Sequence, residues 1–312
     1  MPPKLVGVLE PNNELEKAEI VLPNQFIGPE SMAVRYNSNI VYTGLLNGIV
    51  ARFEINDSSE RDMRVKETRL PTPSSFNTDI CDGSYASFPI CGRPMGMRFH
   101  PSNDDLLYVA DAYYGIYEYN IQTDKYMLIL MIYRLLLYHF PSNELTVLVD
   151  GLYYPNGVQF DYLERCVFFS EMGNLRILKH CLASGYGSFS VVMDNLPGYP
   201  DNLRATRDFM LWVPFGETRL KDDSWLTEKP WLMDFIATIA SPSLISKTYD
   251  TFFSSKHGLM LLIDPYDKVI LKSFHDPNGT TISSISQVRC PLVSLFLLFC
   301  AACVTCFCAM LQ

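Results

Sequence analysis

The stretch 154-YPNGVQFDYLERCVFFSEM-172 decides the fold. A Pro-Asn-Gly turn opens it, apolar residues follow at alternate positions Val158, Phe160 and Tyr162, and a second apolar run starts at Cys166. A period of two is that of a half-buried strand, so the stretch reads as two short strands joined by a turn.

The same order recurs. A Gly/Pro turn leads into alternating apolar residues at 28-GPESMAVRY-36, 92-GRPMGMRFH-100 and 199-YPDNLRATR-207. A second β-rich run follows each copy, from Asn39, Asp105, Arg165 and Phe209, and in three copies a third run follows at GIVARFEI, GIYEYNI and LRILKHCL. Turn and strand alternating three times within each repeat is the signature of a propeller blade. The step from Pro155 to Pro200 fits one blade of about 40 to 50 residues. The longer step from Pro29 to Pro94 holds a loop, Asn56 to Pro89, rich in Ser, Thr, Pro and Asp. Between Asn120 and Gly151 the run YMLILMIY lacks the turn that should open a blade, and it reads as buried β or helix where a blade is shortened. From Glu217 to Lys256 the spacing of Trp231, Met233, Phe235, Ile236 and Ile239 turns helical, so a helical insertion is expected near 217–250.

Composition bounds the function. The chain has 312 residues, 48% of them hydrophobic, enough for a large core. Its net charge of −9 with no basic block removes the means of neutralising a phosphate backbone, so no nucleic-acid partner is expected. Cys81, Cys91, Cys166 and Cys181 lie in the body, and five more cysteines crowd the end from Cys290. Cys81 and Cys91 bracket a short loop that suits either a disulfide or two free thiols. The sequons at Asn56 and Asn278 fit a lumenal or extracellular setting with glycosylation. The first twenty residues hold four glutamates and no sustained apolar run of the kind a secretory leader needs. At the other end, 290–312 is an apolar tail, and 291-PLVSLFLLFCAACVTCFCAMLQ-312 carries no charged residue. Three readings of it stand side by side: a membrane anchor, placed first; a GPI-attachment signal; and an alternative transcript end. The cysteine spacing in the tail superficially suggests a metal site, but the residues between are apolar, so lipid-facing or palmitoylated thiols read better.

A polar residue holds one place in three of the repeated turns: Glu30, Asn156 and Asp201. In a propeller, equivalent positions of different blades converge on the central channel, and two carboxylates with an amide oxygen suit calcium. The plainer account is that Asn and Asp are common in turns. Repetition in register favours the first.

GPESMAV, CGRPMGMRF, LLYVADAYYGIYEYN, LYYPNGVQF and MDNLPGYPDNLR together resemble the strictosidine synthase-like family across roughly residues 5 to 288. That family stands with the gluconolactonase and paraoxonase propellers, which implies an all-β, six-bladed fold, here with one blade shortened and the last incomplete. The resemblance places residues 1–27 as an extension with a closing strand and 28–289 as the propeller. It implies calcium on Glu30, Asn156 and Asp201, and a disulfide between Cys81 and Cys91. Two departures count. The family's Asn-Asp segment, which adds a ligand, is missing near YMLILMIY, leaving the metal one ligand short. No carboxylate follows Asp276 to act as the late acid/base of strictosidine synthase, so that activity is not expected.

The implied function is calcium-dependent hydrolysis of a small ester or lactone, of arylesterase type, at a membrane facing the endomembrane lumen or cell surface. The catalytic base is unknown, because His100, His139, His180, His257 and His275 are scattered and no G-x-S-x-G is present. Two alternatives remain: a non-catalytic membrane-associated propeller that binds a protein partner, and a truncated inactive isoform.

Overall fold

The structure, a computed structural model, describes residues 1–54, 65–69, 80–130, 135–139, 144–219, 229, 255–289, 295–298 and 306–311, apart from positions 37, 85, 101 and 164. Asn56 and most of the expected helical insertion lie outside the described residues; the insertion's first residues instead end a strand that reaches Thr218.

Strand β1 (Glu19–Phe26) comes first. The first sheet is β2 (Met32–Val34), β3 (Ile40–Gly44), β4 (Ile49–Glu54) and β5 (Lys66–Arg69); the second is β6 (Pro94–His100), β7 (Asn103–Asp111), β8 (Gly115–Asn120) and β9 (Lys125–Leu130). Between these two sheets lies one short helix, α1 (Phe88–Cys91). A two-stranded sheet, β10 (Leu135–His139) with β11 (Glu144–Val149), follows where the blade is short. Next come β12 (Pro155–Phe160), β13 (Cys166–Glu171), β14 (Arg176–Cys181) and β15 (Ser190–Met193). The fifth sheet holds β16 (Gly198–Pro200), β17 (Arg204–Ala205), β18 (Leu211–Thr218), β19 (Gly258–Asp264) and β20 (Val269–Asp276). Strands β21 (Gln287–Arg289), β22 (Leu295–Leu298) and β23 (Cys306–Leu311) form the last sheet with β1, in the order β1-β23-β22-β21.

All strand pairs within the sheets are antiparallel, and each repeat read from the sequence becomes one sheet. YMLILMIY begins inside β9, as the outer strand of the second sheet. The last sheet is not left incomplete. The tail residues 295–298 and 306–311 lie in strands that reach β1, because an apolar run pairs as readily as it coils and periodicity alone does not separate the two.

The core explains the order. Each apolar cluster is shared by two consecutive sheets. Leu22 and Phe26 of β1 pack on Val41, Ala51 and Phe53 of the first sheet. On that sheet's other face, Tyr42 and Val50 meet Met97, Val109, Tyr117 and Tyr119 of the second. Leu135 and Val149 pack on Phe169 and Leu178, Phe168 and Ile177 pack on Val213 and Leu261, and Trp212 and Met260 pack on Ile285 and Val288. Burying one such side chain contributes roughly 1.5–3 kcal/mol, so each inter-sheet contact is strongly favoured. Sheets packed face to face in this way make an all-β, propeller-like fold. Every residue of β13 is buried, as expected of a strand covered on both sides.

Candidate metal centre

The repeated turns place their polar residues by a common device. In β12 the register slips between Pro155, opposite Glu171, and Val158, opposite Phe169, so Asn156 and Gly157 together face Ser170. Such a bulge re-aims a side chain at the start of a strand. Gly157 is required there: a Cβ on it would stand 2.5 Å from the Asp201 carbonyl oxygen and 2.7 Å from the Asn202 Cα. The Gly157 amide donates to Ser170 Oγ at 2.7 Å, and Ser170 Oγ donates to the Asp201 carbonyl at 3.0 Å. Thus β12 is tied to the turn that carries Asp201. That turn is held in its own sheet by the Asp201 amide donating to Pro214, as the Glu30 amide donates to Gly44 in the first sheet.

Glu30 and Asp201 meet at the centre, and their carboxyl groups hydrogen-bond each other. They are 5% and 4% exposed, so neither charge is screened by bulk water. Arg93, from the second repeated turn, donates to Glu30 Oε2 at 3.2 Å and to the Gly28 carbonyl at 3.0 Å. Asn202 Nδ2 donates to Asp201 Oδ1 at 3.0 Å and reaches Glu30 Oε1 at 3.5 Å; Ser286 Oγ stands 3.5 Å from Glu30 Oε2.

Burial raises the Glu30 pKa, and the Arg93 charge only partly opposes it. Asp201 is raised well above the usual carboxylate range, by burial first and the neighbouring Glu30 charge second. Two desolvated carboxyls in contact hold a proton between them or need a cation. The pair is thus a hard-oxygen donor set of the kind calcium takes. Among the described residues no group of three or more His, Cys, Asp or Glu gathers, so amide oxygens would have to complete the shell.

Two such amides are near. Asn156 is half-buried, on the strand tied to Asp201, and its side chain makes no hydrogen bond among the described residues. Glu30 and Asp201 are therefore brought together, with Asn156 beside them through the backbone and not in contact by side chain. Asn202 was not singled out in the sequence, though it follows Asp201 directly in YPDN; turned over, its amide would present its oxygen to the same point. Arg93 was equally silent, lying one residue before the proline of a turn whose polar position is taken by Met95.

The histidines are not all scattered. Nε2 of His257 lies 2.7 Å from Nδ1 of His275, away from the carboxyl pair, on the hairpin of β19 and β20. The Cys81–Cys91 disulfide is present and fixes the loop just before Arg93. A second disulfide, Cys166–Cys181, joins opposite residues of β13 and β14. Asn278 is exposed in the turn after β20. Among the described residues no helix is long and apolar enough to cross a membrane.

Residues 7–53 match the family described as “Strictosidine synthase-like, N-terminal”. The chain is 29% identical to the adipocyte plasma membrane-associated protein of Gallus gallus, over 92% of this chain and 77% of that one. It is 27% identical to protein STRICTOSIDINE SYNTHASE-LIKE 13 of Arabidopsis thaliana, over 72% of this chain and 67% of that one. Among solved structures it is similar to a calcium-binding protein, regucalcin from Agrobacterium tumefaciens, with TM-score 0.59 and 11% identity over 95% of this chain and 94% of that one. That likeness establishes the fold.

Proposed function

The chain is a relative of the strictosidine synthase-like proteins, and from that premise we propose that it is a lactonase- or esterase-type hydrolase with calcium at Glu30 and Asp201. The observation that carries this reading is the contact of two buried carboxyls from different sheets, an arrangement without purpose for packing and suited to a cation. A second solved structure of the same fold, assigned as a gluconolactonase, supports it by analogy, with TM-score 0.56 and 11% identity over 94% of this chain and 91% of that one.

Calcium, when bound, supplies a Lewis acid that polarises the carbonyl of an ester or lactone. The chain's own residues do the rest. Glu30 and Asp201 give it two charges, Asn156 and Asn202 neutral oxygens, and Arg93 holds Glu30 in place from the side. Without the ion, burial and the neighbouring carboxyl hold the Asp201 pKa up, and burial raises that of Glu30. In hydrolysis water adds to the carbonyl carbon and gives up a proton, the C–O bond to the leaving oxygen breaks, and that oxygen takes up a proton, leaving a carboxylic acid and an alcohol. The relatives named plasma membrane-associated support a place at a membrane for this chain.

The test is hydrolysis of phenyl acetate and of a six-membered lactone by the full chain, with calcium and with a chelator. Turnover that needs calcium and is lost in Glu30→Gln and Asp201→Asn supports the reading. Calcium binding without turnover of either probe favours a non-catalytic propeller that presents its loops to a protein partner.

A further inference from the structure

A second polar crevice lies between the first and second sheets, at the other end of β2 from Glu30. It encloses about 190 Å³ and is lined by Arg35, Tyr42, Arg52, Lys66, Thr68 and Tyr119, with Ile121 and Gln122 at one side. Three cations face it, and among the described residues no carboxylate lines it.

The strand register makes this costly without a ligand. Arg52 of β4 stands directly opposite Lys66 of β5 on one side and Tyr42 of β3 on the other. Like charges opposite each other on neighbouring strands repel. Arg35, just after β2, adds a third charge, and both arginines act on the Tyr42 hydroxyl.

Carboxylates beside the crevice hold two of these cations. Asp104 and Asp105 accept from Arg35 at 3.2 and 2.8 Å, and Gln122 also donates to Asp105 at 2.9 Å. Asp124 accepts from Lys66 at 3.3 Å, from Thr68 at 3.2 Å and from Tyr119 at 2.6 Å. Arg52 has no carboxylate partner among the described residues, and its charge acts on the neighbouring Tyr42 hydroxyl. Arg35 and Lys66 are thus partly neutralised, while Arg52 faces the crevice with no carboxylate beside it among the described residues. With the Thr68 and Tyr119 hydroxyls committed to Asp124, a guanidinium pair, an ammonium and the Tyr42 hydroxyl remain, and such donors recognise a tetrahedral oxyanion. The space exceeds one water several-fold and admits a phosphate with part of its shell or a small phosphomonoester.

We propose that this crevice binds a soluble phosphate-type oxyanion, bridging the first two sheets. Bound there, the anion couples β4 and β5 to β8 and stabilises the fold in proportion to its occupancy.

The test is thermal unfolding and titration calorimetry of the full chain with inorganic phosphate, against sodium chloride at equal ionic strength, with chelator present. The proposal expects a saturable rise in Tm and measurable heat with phosphate. Arg52→Gln should weaken binding at least tenfold, while Asp201→Asn leaves it unchanged, separating this site from the metal reading. Should Arg52→Gln fail to fold, Lys66→Gln, on the more accessible edge strand, carries the same test. An equal response to chloride, or unaltered phosphate binding in these variants, overturns the proposal. So does capture by phosphatidic acid vesicles with no response to soluble phosphate, which would assign the crevice to a lipid headgroup.

Discussion

The carboxyl groups of Glu30 and Asp201 share a hydrogen bond, although Glu30 precedes β2 of the first sheet and Asp201 follows β16 of the fifth. Both are desolvated, and each raised pKa means that the folded chain binds protons the unfolded chain has released. In calcium-free buffer, stability is therefore full below the ordinary carboxylate pKa and falls as pH rises through the folded values. Calcium should reverse that fall. Asp201→Asn removes a group whose ionisation drives that fall, so it should flatten the loss of stability with rising pH and abolish the calcium response. Thermal unfolding against pH, with and without the ion, checks both signs.

Asn202 and Asn156 should separate cleanly. The Asn202 amide donates to Asp201 and reaches Glu30, so Asn202→Ala leaves buried acceptors short and should cost about 1–2 kcal/mol even without calcium. Asn156 has no such bond to lose. Asn156→Ala should leave metal-free stability within about 0.5 kcal/mol while weakening calcium binding several-fold, read by calorimetry.

What the sequence disclosed follows the same division. The turns at Pro29, Pro94, Pro155 and Pro200 could be read because a proline or glycine before a period of two leaves a local mark. Glu30, Asn156 and Asp201 were visible because they repeat in register. Arg93 and Asn202 were not, since their roles arise only when sheets distant in sequence close on one another. The Cys166–Cys181 bridge was within reach: both ends lie in strands already read, and registering that hairpin about Gly173 sets the two cysteines opposite. His257 and His275 stand at the two ends of the β19–β20 hairpin, and only the register of those strands brings the rings together.

That histidine pair predicts acid lability. Ser273 Oγ donates to the Val8 carbonyl at 2.5 Å, so His275 Nε2 must donate to Ser273 Oγ, at 3.0 Å. His275 Nδ1 is then the acceptor from His257 Nε2 at 2.7 Å. Accepting at Nδ1 while donating from Nε2 requires a neutral His275 ring. Burial lowers both pKa values, that of His275 to about 4 with the His257 charge adding to the effect, while Asp276 partly opposes the shift at His257. As pH falls from the ordinary histidine value near 6.5 toward 4, the unfolded chain takes protons that the folded chain refuses, so stability drops, on the order of 2 kcal/mol for His275. With calcium present to silence the carboxyl pair, His275→Gln should flatten that slope. Hydrogen exchange should show residues 8–12 loosening first in the parent chain, because Val8 and Asn12 are tied to Ser273 and His275.

The tail offers the sharpest contrast between two roles. As strands, β22 and β23 cover the backbone edges of β21 and β1, with Val21 opposite Cys308 and Gln287 opposite Leu298. Ending the chain after Arg289 would expose both edges, and unpaired edges recruit other chains. A chain of residues 1–289 should then unfold several degrees below the full chain and aggregate on heating, with phosphate and calcium responses both weakened. If the tail serves instead as a membrane anchor, the same truncation leaves Tm unchanged and releases the protein from membranes into the soluble fraction. A segment paired along β1 cannot also lie across a bilayer, so Tm and fractionation of one truncated chain decide which role the apolar residues serve.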